Sequence, residues 1–194
     1  HRLELERPIL TLQELEKIRQ VSDHGYQSST LPMLFPVAGG HKAFEEALSG
    51  LCQQAEERVL AGNTFLILSD RGVNRETAPL PSLLGLAAVH HHLIRKGLRS
   101  RVGLVVETGE AREVMHYALL TGFGASAVHP YLAFETLYEL FDRGLLETRT
   151  RDEAVERYIK AIRKSLLKIF SKMGISTLQS YTGAQIFEAI GLNS

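Results

Sequence analysis

Acidic, basic and hydroxyl side chains recur in this sequence directly after short apolar runs. Residues 64–68 are followed by Ser69-Asp70-Arg71, and residues 102–106 by Glu107-Thr108-Gly109. Residues 125–128 are followed by His129-Pro130-Tyr131, and the run that starts at Ile175 ends in Gln179-Ser180-Tyr181. If these runs are parallel strands, the polar residues lie at the strands' carboxyl ends, where α/β folds hold ligands. Asp70, Glu107, His129 and Tyr181 would then line one pocket and titrate abnormally. The competing reading is that these loops are polar only because water covers them. Phosphate chemistry is not indicated. Gly109-Glu110 sets an acid at a helix N-terminus, where it repels an anion, and no GxGxxG, Walker or GxSxG pattern occurs.

Val89-His90-His91-His92-Leu93 supplies metal-ligand side chains at the wrong spacing. Successive helical residues point about 100° apart, so the three rings cannot face one ion. A zinc pair on a helix needs a spacing of three or four. His90 and His91 flank an apolar face of Leu86, Val89 and Leu93 and read as packing or surface residues. His116 and His129 could join them only through the fold. Cys52, beside Leu51, reads as a buried structural thiol with no adjacent base. Met33, Met115 and Met173 read as core.

The elements that must position these residues alternate. A chain of 194 residues, 44% of them apolar, suits one domain with a small appendage. Unbroken apolar runs at residues 64–68 and 102–106 are the mark of strands buried on both faces. Helices are expected over residues 12–20, 41–60, 82–96, 110–120, 134–143 and 155–170, with short strands at 125–128 and 175–179. Residues 31–36 contain two prolines and fit at most an edge strand. Thr11 with Glu14, and Thr150 with Glu153, have capping-box spacing. Val155, Ile159, Ile162, Leu166 and Ile169 form one stripe on the longest helix, which Gly174 ends. Residues 184–190 read as a last helix. This βα alternation predicts an α/β fold with a mostly parallel sheet.

The 22 basic and 22 acidic residues cancel, which argues against nucleic acid as a partner. No apolar run is long enough to span a membrane, and the charged N-terminus is not a signal peptide. One cysteine allows neither a disulfide framework nor a cysteine cluster. The missing initiator Met reads as a piece of a longer protein. Arg157, Lys160, Arg163, Lys164, Lys168 and Lys172 form a basic helix face, either solvated or docked on an acidic neighbour.

Several long stretches have a familiar form: Leu83-Leu-Gly-Leu-Ala-Ala-Val-His-His-His-Leu-Ile-Arg95, Val105-Val-Glu-Thr-Gly-Glu-Ala-Arg-Glu113, Gly122-Phe-Gly-Ala-Ser-Ala-Val-His-Pro-Tyr-Leu-Ala133, Leu5-Glu-Arg-Pro-Ile-Leu10 and Leu68-Ser-Asp70. With them the whole chain resembles the central region of the glutamate synthase large subunit, running into the start of its FMN-binding domain. The family pattern usually has Asn at His129, Arg at Thr182 and often His at Met115, which leaves site roles at those positions open.

The resemblance implies a partial TIM-barrel-like fold related to FMN-linked oxidoreductase barrels. It implies a central region over residues 1–150 and a long helix and flavin-domain junction over 151–194. The parent enzyme would convert glutamine and 2-oxoglutarate to two glutamates in ammonia assimilation, using FMN and a 3Fe-4S cluster. Its partners would be the glutaminase and FMN domains of the same chain, with a small NADPH-oxidising subunit or ferredoxin as electron source. Its location would be cytoplasmic, or plastid in a plant or alga. This stretch would connect and scaffold, without a cofactor or activity of its own. Residues expected to touch the flavin domain, from their place at the junction, are Lys172, Met173, Ser176, Gln179, Ser180, Tyr181 and Gln185. A stand-alone α/β ligand-binding domain is the alternative.

Overall fold

The computed structural model describes residues 8–22, 25–184 and 186–187. Its centre is a parallel sheet of four strands in the order β1-β3-β5-β6: β1 (Ser28–Pro32), β3 (Phe65–Ser69), β5 (Gly103–Glu107) and β6 (Ala127–His129). All five β3 residues and all three β6 residues are buried, as strands covered on both faces must be. The Pro-bearing segment does form the edge strand β1. It continues into β2 (Leu34–Pro36), which pairs antiparallel with β4 (Thr77–Pro79) in a small separate ribbon that the sequence did not suggest.

Side chains alternate across the sheet, and each face has its own cover. Leu31, Leu66, Leu68, Leu104, Val106 and Val128 point into the main core. That core is closed by α2 (Gly40–Leu60), α3 (Ser82–Arg95), α4 (Val114–Gly122), α5 (Tyr131–Asp142) and α6 (Arg151–Lys172). Phe65, Ile67, Val105 and Ala127 point the other way, onto Leu10 and onto Leu15 and Ile18 of α1 (Leu12–Arg19). In a βα barrel the crossover helices lie outside, so α1 lies on the face a closed barrel would turn inward.

The capping box on α1 forms as expected, with Thr11 N–H donating to Glu14 Oε2 at 2.8 Å and Glu14 N–H to Thr11 Oγ1 at 3.3 Å. On α6 the box is shifted: Thr150 Oγ1 accepts from Glu153 N–H, but Glu153 Oε2 accepts from Arg149 N–H. The buried stripe of α6 is Val155, Ile159, Ile162, Leu166 and Phe170, with Ile169 only half-buried. Helix α4 begins at Val114, later than residue 110.

The strand expected at residues 175–179 does not form. Gly174 (φ 70°) ends α6, and Ile175 N–H bonds back to Phe170 C=O at 2.9 Å, while Gly174 N–H bonds to Ser171 C=O. That Schellman motif turns the chain over the helix end. Thr177 then caps a single helical turn, α7 (Leu178–Tyr181), by accepting from Ser180 N–H. The free edge of β6 is already filled: Ile9 bridges Val128 in parallel, Val128 N–H donates to Pro8 C=O and Leu10 N–H to Val128 C=O. The helix expected at 184–190 falls largely outside the described residues, and residues 184, 186 and 187 are not helical.

Met33 is core, but Met115 and Met173 are 49% and 41% exposed. Met115 lies in the exposed first turn of α4, and Met173 is the C-cap of α6. No helix among the described residues is long and apolar enough to cross a membrane.

Candidate functional site

Three of the four polar strand ends meet. Glu107 ends β5 on the α1 side of the sheet, in register with Ser69 of β3 and His129 of β6. Its carboxylate accepts from Ser69 Oγ at 2.6 Å, from Arg71 Nε at 2.8 Å and from Arg19 Nη2 at 3.0 Å. Arg19 arrives from α1 and also donates to Thr30 Oγ1 at 2.7 Å. Arg71 lies over the Tyr131 ring, 4.1 Å from its centroid, and reaches Glu135 at 3.3 Å. Burial pushes the Glu107 carboxyl up, but the bonds from Ser69, Arg19 and Arg71 outweigh it and hold it below the ordinary range.

One residue further along, the chain faces the helix layer. Thr108 Oγ1 donates to Asp70 Oδ2 at 2.5 Å, and Gly109 N–H donates to Asp70 Oδ1 at 3.0 Å. Burial pushes the Asp70 carboxyl up, against the bonds from Thr108, Tyr131 and Gly109, and Glu110 adds repulsion. Burial also lowers the His129 imidazole, although its Nδ1 is 2.8 Å from Leu10 C=O. Asp70, Glu107, Thr108 and His129 are all at most 2% exposed. These strand ends are therefore not polar because water covers them, since they are sealed and bonded to one another.

The acid expected at a helix N-terminus is there, on a different helix. Glu110 Oε2 accepts from Ser82 N–H at 2.8 Å and from Ser82 Oγ at 2.5 Å, so it caps α3. A cofactor phosphate brought to that N-terminus would meet a carboxylate already in the anion's place. The rim does not fit the phosphate of a flavin nucleotide. A groove of about 440 Å³ beside it is lined by Ser82, Gly109, Glu110, Arg112 and His116. His116 Nδ1 is itself engaged, accepting from Arg112 and Glu113 N–H.

The fourth strand end lies elsewhere. Tyr181 is buried beneath α4, donates its hydroxyl to Ala118 C=O at 3.1 Å and stacks 4.2 Å from the Phe170 ring. It cannot share a pocket with Asp70, Glu107 and His129. Of its junction neighbours, Lys172, Met173, Ser176 and Ser180 are exposed, and Ser180 Oγ is 2.7 Å from Thr177 Oγ1. Gln179 lies in α7, and Gln185 lies outside the described residues.

The three histidines separate as helical spacing demands. His92 Nε2 is 2.7 Å from Glu56, and His91 packs edge-on to His90. His90 is buried and its Nδ1 accepts from Arg99 Nε at 2.9 Å. Arg99 also donates to Val102 and Gly124 carbonyls. Among the described residues no three His, Cys, Asp or Glu side chains converge as a metal site. Cys52 is half-buried against the core, and burial raises its thiol pKa.

Sequence reasoning missed Arg19 and the His90–Arg99–Gly124 contact. No local pattern pairs Arg19 with an acid 88 residues away.

Fold and rim together define an α/β domain built like part of a βα barrel, with its strand ends occupied by its own side chains. A family model described as glutamate synthase central domain matches residues 1–193. The NADPH glutamate synthase large chain of Bacillus subtilis is 43% identical over 99% of this chain and 12% of its own length. The NADH glutamate synthase of Schizosaccharomyces pombe is 42% identical over 100% of this chain and 9% of its own. The chloroplastic ferredoxin-dependent glutamate synthase of spinach is 42% identical over 95% and 12%. Among solved structures, a double mutant of flavocytochrome b2 with pyruvate bound aligns at a TM-score of 0.54 and 15% identity, over 95% of this chain and 41% of that one. That likeness concerns the fold alone, and it agrees with a partial barrel. The chain belongs to the glutamate synthase central domain family.

Proposed function

We propose that this chain is the connecting and scaffolding domain of a glutamate synthase large chain and performs no catalytic step itself. The observation that carries this is the self-filled rim. Glu107 is held by Ser69, Arg19 and Arg71 where a barrel enzyme would hold its ligand, and Glu110 occupies the N-terminus of α3. The parent enzyme makes two glutamates from glutamine and 2-oxoglutarate, with FMN and a 3Fe-4S cluster bound by other domains. A small NADPH-oxidising subunit or ferredoxin supplies the electrons. Its compartment is the cytoplasm, or the plastid in a photosynthetic eukaryote.

Residues 151–194 supply the long helix and the junction to the flavin domain. Lys172, Met173, Ser176 and Ser180 present its exposed surface, with Gln179 and Gln185 in the same stretch. Tyr181 acts from beneath by fixing that stretch to α4. The test is an assay of the 194-residue chain with glutamine, 2-oxoglutarate and a reductant, alongside an absorbance titration with FMN. The expected result is no turnover and no saturable binding. Saturable FMN binding would favour a ligand-binding domain in its own right.

A further inference from the structure

Beyond Glu156, the charges on the exposed face of α6 are all cations. From Arg157 to Phe187 the sequence has six cations and no carboxylate, although the whole chain has a net charge of zero. Arg157 pairs with Glu153. Lys160, Arg163, Lys164, Lys168 and Lys172 are exposed and make no ion pair among the described residues. Leu167 stands among them, 57% exposed, one helical turn from Arg163 and Lys164. It borders an apolar groove of about 380 Å³ whose floor is Phe170, Ile175 and Leu178.

We infer that this face is a docking surface for an acidic, amphipathic segment of the same large chain, from outside these 194 residues. The inference rests on the proposed scaffolding role and names the chemistry of the partner. Five cations with no ion-pair partner among the described residues, set in little more than three turns, repel one another, and carboxylates set against them remove that cost. Leu167 and the groove supply an apolar anchor within the charged rim, the arrangement in which a few central contacts hold an interface. The occupant comes from the same chain because the related chains hold this stretch as only 12% of their length, leaving ample protein to cover it. A second copy of the domain is the competing occupant, through Glu45 and Glu46 on α2, both exposed.

The test is zero-length carbodiimide coupling of the full-length large chain at two protein concentrations, with the linked peptides mapped. Lys42 and Glu46, 3.7 Å apart, serve as the internal control. The expected result is that Lys160, Lys164 or Lys168 joins Asp or Glu residues outside the 194, with a yield independent of concentration. At about 1 M salt the yield should fall about fivefold or more, because screening is then nearly complete. The combined Arg163→Glu and Leu167→Asp variant should lose the links while the control link persists. Links from these lysines only to another copy, or no link beside an intact control, would overturn the inference. Turnover and FMN binding by the 194-residue chain alone test the proposed role separately, so the two can fail independently.

Discussion

His90 is held between Arg99 and the two glycines Gly124 and Gly183. Gly124 has φ +111°, and a Cβ there would overlap His90 Nδ1. Gly124→Ala should cost about 2–4 kcal/mol in urea unfolding, from backbone strain plus overpacking. Adding His90→Ala should recover the steric part, a coupling above about 0.5 kcal/mol. Strict additivity would contradict the contact. The ring is also a proton site. Burial first, then repulsion from Arg99 and His91, lowers its pKa to about 4. An unfolded imidazole titrates near 6.5, so between those values the unfolded chain holds the extra proton. Stability is therefore present above about 6.5 and is lost as pH falls towards 4. His90→Asn keeps an acceptor for Arg99 and removes the titration, so its thermal midpoint should fall less across that window. Equal slopes in the two proteins would show that His90 does not titrate as described. None of this was legible in the histidine run, whose spacing says only that the rings diverge.

The elements show where local patterns suffice and where they do not. The runs of β3 and β5 and the α6 stripe declare themselves because burial repeats at the period of the backbone. Ile175 misleads for two reasons. Thr177 and Ser180 close a capped turn that competes with extension, and the β6 edge is already paired with residues far earlier in the chain. An unpaired edge invites association with another chain. Starting the protein at Thr11 should therefore remove the protection of the Val128 amide, which donates to Pro8 C=O, and promote concentration-dependent self-association. Hydrogen exchange and light scattering read both. A Val128 amide as protected in the shortened chain as in the intact one would refute the role of residues 8–10.

At the scale of the molecule, sequence placed Asp70, Glu107 and His129 together, because parallel strands bring their carboxyl ends to one side. It could not show that they are sealed, because Arg19 closes the rim from α1 on the opposite sheet face from the crossover helices. A barrel fragment whose inner face is filled by its own helix and whose strand ends bond to one another has the makings of a support. The direct measurement is glutamate synthesis by the full-length large chain with Asp70→Asn and Glu107→Gln, normalised to bound flavin and read beside the thermal midpoint. The scaffold account predicts turnover within about twofold of the parent, with stability lowered by about 1–3 kcal/mol as charge-assisted hydrogen bonds to the two buried carboxylates are weakened. A fall in turnover of about a hundredfold at an unchanged midpoint, the size expected when a general acid or base is lost, would contradict it.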